Sequence, residues 1–213
     1  MSDLPYLGAS TRVDMCWLEG APHQYERWVD ESRAAPKVVA KAKWAEAQGY
    51  DAMVVSCMVD PGVAEARRVV RMPVIGLGAA TRAIAGLIGR SPATFYPAPI
   101  PVVALASEPE RTYARSVEAA RYCIRRGGAD VLVAECAHLG RLAHRLQEDL
   151  GVPVLPNEDV GLRVAETIAI FGLVREEERV AQEHGPRWVS RLHRACAFLR
   201  HRVVSYLPRW RFR

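Results

Sequence analysis

The 213-residue sequence has no apolar run long enough to cross a bilayer, which excludes an integral membrane protein built on helices. Aromatic residues make up only 8% of it, and its five cysteines, an odd and modest number, do not form a disulfide scaffold. Residues 1–10 lack the basic start and apolar stretch of a secretory signal. A reduced, cytoplasmic setting is the expectation. Residues 187–213 contain eight arginines and no aspartate or glutamate. Without that stretch, residues 1–186 hold 21 basic and 24 acidic residues, a net charge of −3 against +5 for the whole. A mildly acidic body offers no basic surface to a polyanion, so no nucleic-acid partner is expected.

Half of the residues are hydrophobic and a quarter charged, and the length suits one large domain or two small lobes. Short β-rich runs alternate with helical stretches, the pattern of an α/β protein with parallel sheets. Residues 11–18 alternate Val13, Met15 and Trp17 with Arg12, Asp14 and Cys16, as a strand does. Residues 34–48 read as a helix with Pro36 in its first turn and Gly49 as its stop. Further strands are expected at 51–56, 73–77, 101–106, 130–134 and 153–155, and helices at 63–70, 79–88, 139–150 and 160–171. Ser107 and Glu110 have capping-box spacing and open another helix, which closes on Arg125, Arg126 and Gly127. Pro92, Pro97, Pro99 and Pro101 make residues 90–101 a proline-rich connection, and a lobe boundary is placed near 90–100. Residues 1–174 are thus expected to form a two-lobed domain, and residues 175–213 a basic amphipathic C-terminal tail.

An internal repeat carries the chemistry. Gly49-Tyr-Asp-Ala-Met-Val-Val-Ser-Cys57 lines up with Gly128-Ala-Asp-Val-Leu-Val-Ala-Glu-Cys136. In each, glycine precedes cysteine by eight residues and aspartate by six. A Pro-Val pair follows at sixteen residues (Pro73-Val74) and at seventeen (Pro153-Val154). Two half-domains of one plan, each with a cysteine just past a buried strand, are the natural reading. Ligands of parallel α/β sheets bind beyond the carboxyl ends of the strands, where helix N-termini favour thiolate. Two such lobes face to face would set one sulfur on each side of a small ligand. One thiolate removes a proton from a carbon and the opposite thiol returns one to the other face, with N–H donors stabilising the carbanion. No metal or organic cofactor is required. A cysteine at a strand end is also an ordinary core residue; Cys16, Cys123 and Cys196 lack the repeat's context, and Cys16 and Cys123 are read as packing.

At these residues the sequence resembles the Asp/Glu/hydantoin racemase superfamily. Gly49 to Cys57 followed by Met58-Val59-Asp60-Pro61-Gly62 is similar to the first cysteine motif of its hydantoin and allantoin racemase branch, Cys-x-x-Asp-Pro-Gly after a Gly-Tyr-Asp strand. Glu135-Cys136-Ala137-His138 is similar to the second, Gly-Cys-Ala-Gly, with a histidine as in the Cys-Thr-His of glutamate racemases. The likeness runs from about residue 20 to 172. It implies two Rossmann-like lobes related by pseudo-symmetry, an active site in the cleft between them, and cofactor-independent racemisation of a hydantoin-like or amino-acid-derived substrate. Cys57 and Cys136 would be the acid–base pair, and Ser56, Met58, Val59, Gly62, Ala137 and His138 the substrate contacts. Alternatives are a related cysteine-dependent isomerase or decarboxylase, or an inactive ligand-binding remnant. The chain departs from the family in lacking an opening strand that ends in Asn-Pro-Asn. Its segment between residues 89 and 100 is short, lacking the strand that opens the second lobe, and Glu135 replaces a glycine.

Other signals are set aside. Gly76-Leu-Gly78 lacks the third glycine of a dinucleotide fingerprint, Thr81 standing in its place, and reads as a tight turn. His138 and His144 are six apart, not the four of one-face metal ligands, so no metal site is expected. Trp188, Leu192, Cys196, Leu199 and Val203 recur at helical spacing with Arg187, Arg191 and Arg194 on another face. That amphipathic helix would pack on the body or on a second subunit of a homo-oligomer, with contact to a membrane surface as the lesser alternative.

Overall fold

The computed structural model describes residues 7–19, 28–173 and 201–206, and every β-ladder in it is parallel. The elements run β1 (Thr11–Cys16), α1 (Trp28–Ala47), β2 (Ala52–Val55), α2 (Val63–Val69), β3 (Val74–Gly76), α3 (Leu77–Ile88) and β4 (Pro92–Phe95). Then follow α4 (Pro109–Gly127), β5 (Val131–Ala134), α5 (Ala143–Leu150), α6 (Asn157–Ile170) and β6 (His201–Tyr206), with 3-10 turns at Val102–Ala104 and Ala137–Leu142. One sheet has the order β1-β6-β2-β3, the other pairs β4 with β5, and a single parallel bridge joins Leu132 to Val154.

The two repeated strands, Ala-Met-Val-Val in β2 and Val-Leu-Val-Ala in β5, are buried throughout because helices cover both of their faces. Alternate residues of β2 point opposite ways. Met53 and Val55 pack on Val38, Ala42 and Ala45 of α1 and on Val63 and Ala66 of α2. Ala52 and Val54 pack on Leu162, Ala165 and Ala169 of α6. In β5, Leu132 and Ala134 face Tyr113 and Ala120 of α4 and Ala143 and Leu146 of α5. Val131 and Val133 face the other way, onto Leu77 and Ala85 of α3. The glycines that open the repeat, Gly49 and Gly128, have φ of 74° and 62° where α1 and α4 stop and the chain turns into a strand. An L side chain is strained there.

Buried Glu166 of α6 accepts hydrogen bonds from the Gly8 N–H and the Thr11 hydroxyl and pairs with Arg163, tying the start of β1 to that helix. Among the described residues, no helix is long and apolar enough to cross a membrane.

Several expectations need correction. Helix α1 begins at Trp28, so Pro36 lies inside it rather than in its first turn. The packing of Val38, Ala42 and Ala45 on β2 compensates for the one backbone bond that proline removes. The proline-rich segment 90–101 contains the strand that opens the second sheet: β4 starts on Pro92 at a sheet edge, where a proline needs no ladder partner. Residues 101–106 are not a strand but a 3-10 turn with local bonds from Ala104 N–H to Pro101 and from Leu105 N–H to Val102. Ser107 does not cap α4; its hydroxyl bonds back to the Ala104 carbonyl, and Glu108 is the cap residue ahead of Pro109.

The largest correction concerns the tail. Residues 201–206 are a strand, not the end of an amphipathic helix, and they lie between β1 and β2. Val203 is opposite Val13 on one side and Ala52 on the other. The central position satisfies backbone groups on both edges of β6, which local periodicity cannot reveal. Residues 174–200 and 207–213 lie outside the described residues. Because β6 is what joins β1 to β2, Val204→Pro should remove ladder bonds in mid-sheet. Urea unfolding should then show a loss of about 1–3 kcal/mol for the partner left unpaired.

Candidate active site

The first cysteine loop starts where β2 ends. Ser56 is buried, Cys57 half-buried, and the loop turns back through a bond from the Asp60 N–H to the Cys57 carbonyl at 3.0 Å. Asp60 adopts φ 53°. Its carboxylate accepts the N–H groups of Gly78 at 2.8 Å and Ala79 at 2.7 Å, in the first turn of α3, with Arg82 at 3.4 Å. This is a carboxylate on the positive end of a helix. Burial pushes the Asp60 carboxyl up, and the two N–H groups and Arg82 and Arg67 oppose that.

The latch explains the Gly-x-Gly pair. A Cβ on Gly78 would stand 2.0 Å from the Met58 carbonyl oxygen, and one on Gly76 would stand 2.5 Å from the Asp60 carboxyl carbon. Both glycines are needed for the cysteine loop to approach α3. Gly62, with φ 69°, faces the backbone of Ala35 in α1, where a Cβ would come within 2.7 Å. Its lack of a side chain is required by helix packing.

The second loop starts where β5 ends. Cys136 is extended and heads the short 3-10 turn Ala137–Leu142, with the backbone N–H groups of His138 and Leu139 aimed at its sulfur. Burial nevertheless pushes the thiol up from 9.0 to about 11, and the Glu158 carboxylate adds to the rise. The N–H groups and Arg141 offset only part of this. The expected thiolate is therefore corrected: at neutral pH Cys136 is a thiol. A six-residue 3-10 turn has too small a dipole to overcome burial beside Leu132, Leu139 and Ala143. His138 is half-buried, and burial and Arg141 lower its imidazole pKa.

The structure brings the two loops together. Met58, next to Cys57, and Ala137, next to Cys136, belong to one apolar cluster with Leu77, Ala85, Val131, Val133 and Leu155. Two residues at the start of α6 add polar ties. Asn157, fully buried, donates its amide to the carbonyls of Ala134 at 2.8 Å and Cys136 at 3.4 Å. Glu158 accepts the hydroxyl hydrogen of Ser56 at 3.0 Å. Sequence reasoning missed both, reading helix from residue 160 onward. The available signal was the Pro156-Asn157-Glu158-Asp159 start, but nothing local ties it to a serine 102 residues away.

Val59 is 49% exposed beside the site. Cys16 and Cys123 are half-buried against the two sheet cores, as packing residues are, and Cys196 lies outside the described residues. Among the described residues no cluster of three or more His, Cys, Asp or Glu side chains is arranged to hold a metal ion. A groove of about 500 Å³ between α3 and α6, lined by Ile84, Pro156, Val160, Val164 and Ile168, contains neither cysteine.

Residues 8–93 match the family model for Asp/Glu/hydantoin racemase. A hydantoin racemase of Rhizobium meliloti is 29% identical over 216 residues, covering 89% of this chain and 89% of that protein. A hydantoin racemase of Pseudomonas sp. (strain NS671) is 26% identical over 177 residues, 71% of each chain. The chain is thus similar to the Asp/Glu/hydantoin racemase family. Among solved structures, the allantoin racemase from Klebsiella pneumoniae superposes with a TM-score of 0.66 at 24% identity, over 73% of this chain and 74% of that one. The allantoin racemase from Pseudomonas fluorescens superposes with a TM-score of 0.62 at 17% identity, over 75% and 79%. These two share the fold. The run Cys57-x-x-Asp60-Pro61-Gly62 is thus a cysteine followed by the aspartate that latches its loop to α3.

Two outcomes follow from this geometry. Asp60→Ala strips two N–H groups of α3 of their acceptor and should lower stability by about 1–2 kcal/mol, read by urea unfolding. Cys136 holds its proton more tightly folded (about 11) than unfolded (9.0), so its contribution is intact below pH 9 and disappears as pH rises through 11. Stability measured from pH 8 to 11 should fall by about 2–3 kcal/mol more in the wild type than in Cys136→Ala.

Proposed function

We propose that the protein is a cofactor-independent racemase or epimerase whose acid–base pair is Cys57 and Cys136, acting on a hydantoin-like or amino-acid-derived carbonyl compound. The observation that carries this reading is the meeting of the two cysteine loops: both are linked to the start of α6, through Ser56–Glu158 and through Cys136–Asn157. The two parallel sheets would act as two lobes, with the substrate in the cleft between the ends of β2 and β5. Ser56, Met58, Val59, Ala137 and His138 would line it.

Because Cys136 starts as a thiol, it is the proton donor of the first turnover and Cys57 the base. The Cys57 thiolate takes the α-proton, and the electron pair of the broken C–H bond moves toward the neighbouring carbonyl oxygen. Cys136 then delivers its proton to the opposite face, leaving a thiol on Cys57 and a thiolate on Cys136. The next turnover runs in the opposite sense, or solvent exchange resets the pair. A serine hydroxyl is too weak an acid to replace either sulfur without an activating base.

The test is α-hydrogen exchange and racemisation of each enantiomer of 5-substituted hydantoins and of amino acids in heavy water. Cys57→Ser and Cys136→Ser should each lower racemisation by at least about a hundredfold. Each should retain exchange for one enantiomer only, and opposite enantiomers in the two variants. Racemisation at the wild-type rate in Cys136→Ser would reject the two-thiol mechanism. Absence of exchange in the wild type with every substrate would favour the ligand-binding remnant.

A further inference from the structure

Glu158 has an unusual position for a family built on two cysteines. It is the second residue of α6, on an element that belongs to neither cysteine loop. Its Oε1 accepts a hydrogen bond from Ser56, a residue only 2% exposed. Ser56 is covalently next to Cys57. On the other side, the neighbouring Asn157 donates to the Cys136 carbonyl, which places the start of α6 against the second loop. The Glu158 carboxylate acts electrostatically on the Cys136 sulfur. One side chain therefore touches the first loop by a hydrogen bond and the second by its charge.

We propose that Glu158 is a positioning residue that couples the two cysteine loops, holding the Cys57 loop through Ser56 and presenting its carboxylate to the Cys136 loop from the start of α6. The proposal rests on the racemase reading for its role in turnover, while the coupling itself is measurable on the resting protein. The charged groups that act on the pair are Arg141 from the 3-10 turn and Asp159 from α6, and the titratable His138 lies on the same turn as Arg141. Arg141 favours the ionised forms of both Glu158 and Cys136, whereas Asp159 opposes ionisation of Glu158. Burial also raises the Glu158 carboxyl, and the Ser56 hydrogen bond counters it by stabilising the carboxylate. The serine is thus part of the device: it helps keep charged the group whose field adds to the effect of burial on Cys136.

Two substitutions separate the tie from the charge. Glu158→Gln keeps an oxygen for Ser56 and removes the charge, and Ser56→Ala keeps a carboxylate and removes the tie. The readout is alkylation of the native full-length protein by iodoacetamide across pH, resolved by mass spectrometry for the peptides containing Cys57 and Cys136. Glu158→Gln should move the Cys136 alkylation midpoint down by about half to one pH unit, with an unchanged unfolding midpoint. Ser56→Ala should raise the Cys57 alkylation rate roughly fivefold, the equivalent of one hydrogen bond, and move the Cys136 midpoint less than Glu158→Gln does. Glu158→Asp, which keeps the charge and shortens the reach, should resemble Ser56→Ala, and it serves if Glu158→Gln does not fold. A Cys136 midpoint unmoved in folded Glu158→Gln, or shifted equally in Glu158→Asp, would overturn the proposal. These readouts need no substrate, so a wild-type protein without turnover would sink the racemase reading separately.

Discussion

Leu77 at the head of α3 and Val131 and Val133 on β5 meet in the apolar cluster through which the first sheet's last helix packs on the second sheet. The rest of the structure depends on that contact. Met58 and Ala137 are members of the same cluster, so packing α3 on β5 brings the residue after each cysteine to one place. The magnitudes decide what does what. Burying a side chain of this kind stabilises by about 1.5–3 kcal/mol, whereas a hydrogen bond such as Ser56–Glu158 nets about 1 kcal/mol. The apolar cluster therefore assembles the site, and the polar ties aim it.

Aim is supplied by carboxylates that differ in placement. Asp60 lies on the N-terminus of α3, where two N–H groups and the helix dipole welcome a negative charge. It holds the Cys57 loop from below, against the helix that belongs to its own sheet. Glu158 holds the same loop from the start of α6, by accepting a single hydroxyl, and its charge acts on Cys136. The sulfur of Cys136 is consequently caught between N–H donors that favour thiolate and a buried, acidic surrounding that disfavours it, and the surrounding prevails.

The first sheet is completed from the far end of the chain. β1 and β2 flank β6 without pairing with one another, so Thr11 and Ala52 share a sheet only through residues that begin at His201. Such a ladder closes a very long loop before it gains any stabilisation, which makes β6 a late partner in folding on general grounds.

Local chemistry in the sequence determined much of this protein. Gly49 and Gly128 end helices because a left-handed turn is needed there, and β2 and β5 are apolar because both faces are covered; each of these is written in a few adjacent residues. The repeat therefore assigns Cys57 and Cys136 to corresponding strand ends on local chemistry alone. Tertiary structure alone decided three things. It filled the slot between β1 and β2 with residues whose own periodicity reads as helix, because unpaired backbone on two strands outweighs a local preference. It set Asn157 and Glu158 against loops more than twenty and one hundred residues away, contacts that no spacing encodes. It also chose the protonation state of Cys136, because desolvation is a property of everything packed around a sulfur and not of the residues beside it in the chain.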